Sequence, residues 1–163
     1  MKYLTSTYLK DIEEYKISIF MEEKCCITVK KILKIKEPFV LKEGNNNITI
    51  IDNGYYILEY MPFNENYICR VHIDKEENVI ERFYTATKNN SIINGIPAFE
   101  DLKLSFVSVV NKNINKFYYM ELDNVILNIK NFSSELSQMI KIQNEIKNKE
   151  NYIYNLDYKK YLI

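Results

Sequence analysis

His72 is the single histidine of the chain, and it stands two residues after Arg70 in the segment Tyr67 to Ile73 (YICRVHI). An imidazole with a reference pKa near ~6.5 exchanges a proton at neutral pH, so His72 is a candidate proton donor to a leaving group. The alternative is a surface strand residue, the commoner fate of a lone histidine with no nucleophile paired to it locally. Arg70 and Arg82 are the only guanidinium groups. They fall on neighbouring strands, where they either grip one phosphate together or pair with carboxylates such as Glu81 and Asp74 as solvated cross-strand contacts. Cys69 has only its position to suggest a nucleophile. No Gly-rich phosphate loop, Ser-His-Asp order or zinc motif occurs.

The elements that position these side chains fit one domain, because a single core still grows at 163 residues. Hydrophobic residues at 47% supply enough apolar surface to offset chain entropy, which argues for a packed core. Lys plus Arg and Asp plus Glu balance at 22 each, so no overall field steers the chain to a polyanion or an anionic membrane. Bulk nucleic-acid and membrane binding are therefore not expected. The opening MKYLTSTYLKDIEEYK lacks a signal-peptide pattern, and no apolar run approaches the ~20 residues that span a bilayer, so a cytoplasmic location is expected. Three cysteines, two of them the neighbours Cys25 and Cys26, make no disulfide framework. They read as reduced small hydrophobes, with Cys25 and Cys26 on opposite faces of one strand.

Residues 14 to 121 read as antiparallel strands: Tyr15 to Met21, Cys25 to Ile35, Asn47 to Ile51, Tyr55 to Met61, Tyr67 to Ile73, Val79 to Thr85, Leu102 to Val110 and Lys116 to Met120. Asn53-Gly54 predicts a tight hairpin between the third and fourth of these, since both residues tolerate positive φ. Along YICRVHI, Tyr67, Cys69, Val71 and Ile73 share one face, and Arg70 and His72 the other. Lys75 to Asn78 predicts a turn, and residues 86 to 98 a polar loop. The period then becomes helical over about 122 to 150, with a second helix from Ser133 or Ser134 carrying Leu136, Met139, Ile140 and Ile146 on one stripe. A Tyr-rich tail, 151 to 163, follows and is expected to dock across the sheet or the barrel mouth.

From Tyr67 to Lys130 the order and spacing of these elements resemble the FomD-like proteins, small bacterial metal-dependent nucleotide hydrolases that include nucleoside di- and triphosphatases. An aromatic-led strand is followed by an acidic turn and a strand ending in Tyr84. Next comes a strand that reads Asp-x-Asp-x-Asp in the family and Asp101-Leu102-Lys103-Leu104-Ser105 here. A later acidic segment of the family is Glu121-Leu122-Asp123-Asn124 in this chain. Alternate strand carboxylates converge on one spot, where Mg²⁺ or Mn²⁺ takes oxygen ligands and bridges to substrate phosphates.

The resemblance implies a mainly β, α+β fold: an antiparallel β-barrel with C-terminal helices packed on it, forming one domain over 1–163. It implies a metal set reduced to Asp101, Glu121 and Asp123, holding one weakly bound Mg²⁺ or Mn²⁺ or, equally, no cofactor. Lys103 and Ser105 stand where the second and third carboxylates would fall. An ammonium does not ligate a metal, so Lys103 either replaces a lost ion's charge and retains phosphate affinity without hydrolysis, or is a solvated strand residue. In an active version Asp101, Asp123 and His72 are the catalytic candidates, and Lys103, Arg82, Arg70 and Tyr84 contact the ligand. The function expected is binding of a nucleotide or related phosphate ester with weak or lost hydrolysis. The alternative is a non-catalytic interaction domain that keeps the barrel, with a homodimer or another protein as partner.

Overall fold

A computed structural model describes the backbone of residues 1–7, 9–43, 45–111, 114–120 and 133–162, and their side chains except at 43, 46, 103, 106, 108–111, 114–120 and 133–136. The strands are β1 (Lys2–Tyr3), β2 (Ile12–Met21), β3 (Cys25–Ile35), β4 (Phe39–Glu43), β5 (Asn46–Ile51), β6 (Tyr56–Pro62), β7 (Tyr67–Ile73), β8 (Val79–Ile93), β9 (Ile96–Asn111) and β10 (Ile114–Met120). Helix α1 (Ser133–Lys147), the short helix α2 (Tyr152–Asn155) and a 3₁₀ turn (Tyr158–Tyr161) follow. One antiparallel sheet runs β1-β9-β8-β7-β6-β3-β2, with β10 also on β9, and β4 pairs with β5 separately. Among the described residues this path stays open from β1 to β2; it does not close into the expected barrel.

Strand alternation divides the core. Cys25, Ile27, Val29, Leu58, Tyr60, Tyr67, Cys69, Val71, Ile73 and Tyr84 project to one face, where Met139, Ile142 and Ile146 of α1 and Ile153 and Tyr161 of the tail pack on them. The opposite face carries two smaller clusters. Cys26, Met61, Ile68 and Phe99 gather around Leu4 of the N-terminal segment, and Ile32, Ile35 and Ile57 around Ile50 and Ile51 of β5. Cys25 and Cys26 thus fall in different clusters, as alternation requires. The face covered by α1 and the tail is called here the helix face.

Two turn expectations are corrected. Residues 86–98 are not a loop, because β8 continues to Ile93 and returns as β9 from Ile96. Asn94 at φ 50° and Gly95 at φ 78° make the two-residue turn, the left-handed pair that a tight hairpin needs. Asn53-Gly54, in contrast, does not join paired strands: β5 pairs with β4, and β6 with β3. There Tyr55 N–H donates to Asp52 O at 3.1 Å and Gly54 N–H to Ile32 O at 2.8 Å, so the turn sends the chain from the β4–β5 hairpin onto β3. The turn between β7 and β8 is where the sequence placed it, with Glu77 at φ 68°.

The helix stripe also differs. Met139, Ile142 and Ile146 are buried, whereas Ile140 points to solvent. The first part of the expected helical region, 121–132, lies outside the described residues. Among the described residues no helix is long and apolar enough to cross a membrane. Ile142 is wholly buried between α1 and the sheet. Ile142→Ala is expected to lower unfolding free energy by roughly 2–5 kcal/mol in a denaturant titration, the range for truncating a large aliphatic core residue.

Candidate functional site

The register between β7 and β8 decides which candidate residues can act together. Val71 lies opposite Arg82, and Cys69 opposite Tyr84, so Arg82 and Tyr84 are on the helix face. Arg70 lies opposite Phe83 and His72 opposite Glu81, on the other side of the sheet. The two guanidinium groups expected to share a phosphate are therefore separated by the thickness of the sheet.

Arg82 is covered by the tail. Its guanidinium carbon sits 4.3 Å from the centre of the Tyr154 ring, and Nη2 donates to Tyr154 O at a long 3.4 Å. Its Nε–H is buried without a hydrogen-bond partner among the described residues. Tyr84 is fully buried beside it, and its hydroxyl donates to Asn151 Oδ1 at 3.2 Å. The same oxygen accepts from Tyr154 N–H at 3.1 Å, and Asn151 Nδ2 donates to Glu145 Oε2 at 3.2 Å. Burial raises the Tyr84 and Tyr67 phenols well above their usual range, so both act as neutral hydroxyls. Burial also pushes the Cys69 thiol up to about 12, which removes it as a nucleophile at neutral pH.

On the opposite face, Lys30 and Glu59 form an ion pair that is shut off from solvent. Glu59 also accepts from Arg70 Nε at 2.8 Å, and Lys30 Nζ donates to Ser6 O at 2.6 Å. Arg70 is thus tied to a neighbouring carboxylate on β6, neither Glu81 nor Asp74. His72 is buried, not a surface residue, and its Nδ1 lies 2.8 Å from Glu81 Oε1. Such buried charges persist because each meets an opposite one; a lone charge there would cost several kcal/mol. Sequence reasoning missed Lys30 and Glu59, since nothing local marks either as buried.

Of the acidic set, Asp101 is the described member; Glu121 and Asp123 lie outside the described residues, as does the Lys103 side chain. Asp101 Oδ2 meets Lys2 Nζ at 2.6 Å across β1 and β9. Ser105, at the third position of the pattern, shares a hydrogen bond with Thr85 at 3.0 Å. Among the described residues no group of three or more His, Cys, Asp or Glu side chains is arranged to hold a metal ion. The Asp101 carboxylate would have to exchange Lys2 for an ion to act as a metal ligand.

A cavity of about 420 Å³ opens at one end of the sheet, between the β2–β3 and β6–β7 turns, lined by Glu22, Glu23, Glu65, Lys24, Tyr60 and Tyr152 among others. Without a cation between them, three carboxylates against one ammonium repel a phosphate. Burial, and then the Glu145 carboxylate, raise the Glu65 carboxyl above its ordinary value of 4.5. Glu65 therefore binds its proton more tightly in the folded chain than in the unfolded one. Its ionisation subtracts nothing at acid pH, and stability falls as pH rises through the folded-state value. Glu65→Gln is expected to match the parent below pH 4.5 and to be the more stable above the folded-state value, read as melting temperature against pH.

Comparison with known proteins adds a likeness of fold. No family model matches the sequence, and no curated protein matches it. A solved structure described as the complex of FomD with CDP has a TM-score of 0.57 and 9% identity, over 85% of this chain and 78% of that one. At that identity the likeness is one of fold: a mainly β, antiparallel FomD-like sheet with a C-terminal helix.

Proposed function

We propose that this domain binds a nucleotide or a related phosphate ester, with metal-dependent hydrolysis weak or lost. The observation that carries the reading is the fold likeness to FomD, a protein solved with CDP. Electrostatics on β9 supports the second half. Where the family pattern reads three carboxylates, this chain has Asp101, Lys103 and Ser105, and Asp101 is already neutralised by Lys2. A site with ammonium groups in place of ions attracts phosphate as point charges but does not prepare a water nucleophile.

In this reading Lys103 is the phosphate contact. Arg82, beneath the Tyr154 ring, and Arg70, bonded to Glu59 through Nε, remain further proposed contacts. His72, against Glu81 through Nδ1, stays the proposed proton donor should hydrolysis occur. Glu121 and Asp123 remain the proposed companions of Asp101 should any ion bind. A second reading, a protein-interaction domain on the same sheet, is favoured by the apolar residues Ile17, Ile19 and Met21 exposed along β2.

The test is a thermal-shift panel of nucleoside di- and triphosphates with Mn²⁺ or with chelator. A rise in melting temperature that survives chelator and disappears in Lys103→Met is the expected outcome. No shift with any nucleotide, or turnover that chelator abolishes, contradicts the proposal.

A further inference from the structure

Strand β2 ends the sheet, and among the described residues β3 is its sheet partner. Ile17, Ile19 and Met21 alternate along it and are 37%, 40% and 50% exposed. Their backbone orientation follows from the hairpin. Glu22 N–H donates to Cys25 O at 2.9 Å where β2 turns into β3. In an antiparallel ladder every second residue directs its backbone groups at the same neighbour, so Lys16, Ser18 and Phe20 join Glu22 in bonding β3. Ile17, Ile19 and Met21 direct their N–H and C=O groups outward. The pairing is regular from Tyr15 onward, with its irregularities confined to the stretch between Ile12 and Tyr15. One run of residues therefore presents both apolar side chains and outward backbone groups, the combination that adds a further strand.

We propose that this edge pairs antiparallel with β2 of a second copy of the chain, about a two-fold axis through Ile19. The outward groups admit only registers offset by whole residue pairs, and charge selects among them. An axis at Ile19 sets Lys16 opposite Glu22 on both sides, Ile17 opposite Met21, and Ile19 against its own mate. An axis at Ser18 sets Glu14 against Glu22, and one at Phe20 sets Lys16 against Lys24; both place like charges face to face. The Ile19 register forms about six backbone hydrogen bonds and joins the two apolar stripes into one. Glu22 accepts from the Tyr161 hydroxyl through Oε1 at 3.1 Å, and a carboxylate has a second oxygen to receive Lys16. The interface is isologous, so each favourable pair occurs twice and growth stops at the dimer. It is independent of the nucleotide reading, since β2 carries none of the residues proposed to meet phosphate.

Sedimentation velocity on the full chain, from micromolar to near-millimolar concentration, tests the proposal. The parent chain is expected to show a monomer–dimer equilibrium. Lys16→Glu opposes two carboxylates twice and is expected to weaken the dimer about tenfold or more, and adding Glu22→Lys to restore it. Ile19→Pro removes an outward donor that β3 does not use, so it is expected to abolish the dimer; Ile19→Lys serves if the proline variant does not fold. Thermal melts of every variant separate loss of pairing from loss of fold, which matters for Glu22 because of its bond to Tyr161. A folded parent chain that is monomeric at every concentration overturns the proposal. So does a dimer unchanged by Lys16→Glu and the Ile19 variant, or a folded double variant that fails to re-associate.

Discussion

The carboxamide of Asn151 is the point at which sheet, helix and tail are held together. Its oxygen receives the Tyr84 hydroxyl and the Tyr154 amide, while its nitrogen donates to Glu145 of α1. A buried phenol must find a hydrogen-bond partner, and Tyr84 is wholly buried, so the tail supplies what the apolar sheet face lacks. Once Asn151 is placed, Ile153 and Tyr161 fall into the same core as Met139 and Ile142, and Tyr154 lies over Arg82. The tail is in this sense a covering layer of the domain.

That covering decides what each face can do. The helix face is packed with neutral tyrosines and raised thiols around one guanidinium, which leaves it little room for chemistry in this arrangement. On the opposite face Lys30 pairs with Glu59 and Glu59 with Arg70, while His72 lies against Glu81. On β9, Asp101 meets Lys2 of β1. The acidic cavity bounded by Glu22, Glu23 and Glu65 lies elsewhere.

Much of the sheet was legible because alternation is a strong local signal. YICRVHI divides into faces as its pattern requires, and Cys25 and Cys26 separate as neighbours on a strand must. The errors arose where a local signal needed tertiary context. Asn53-Gly54 is a genuine turn, but its flanking strands find other partners, which no dipeptide reveals. Lys88, Asn89 and Asn90 read as loop because they are polar; Asn89 takes a left-handed φ of 55° at an irregularity in the pairing, while the Asn90 amide fills the carbonyls of Pro62, Glu65 and Tyr67. Arg70 and Arg82 looked like one phosphate clamp since both sit on neighbouring strands. Their register, one residue out of step, puts them on opposite sides. Membership of Asp101 in an acidic pattern was visible; its pairing with Lys2, 99 residues away, was not.

Hydrogen exchange of the tail amides tests most directly whether the C-terminal segment is a fixed layer of the domain. Tyr154 N–H bonds to Asn151 Oδ1, and Leu156 N–H to Ile153 O. If the tail is held as described, both exchange within roughly tenfold of the slow amides of β7, because opening them means opening the same core. Exchange of Tyr154 and Leu156 at the rate of an unstructured peptide, with β7 still protected, would contradict it.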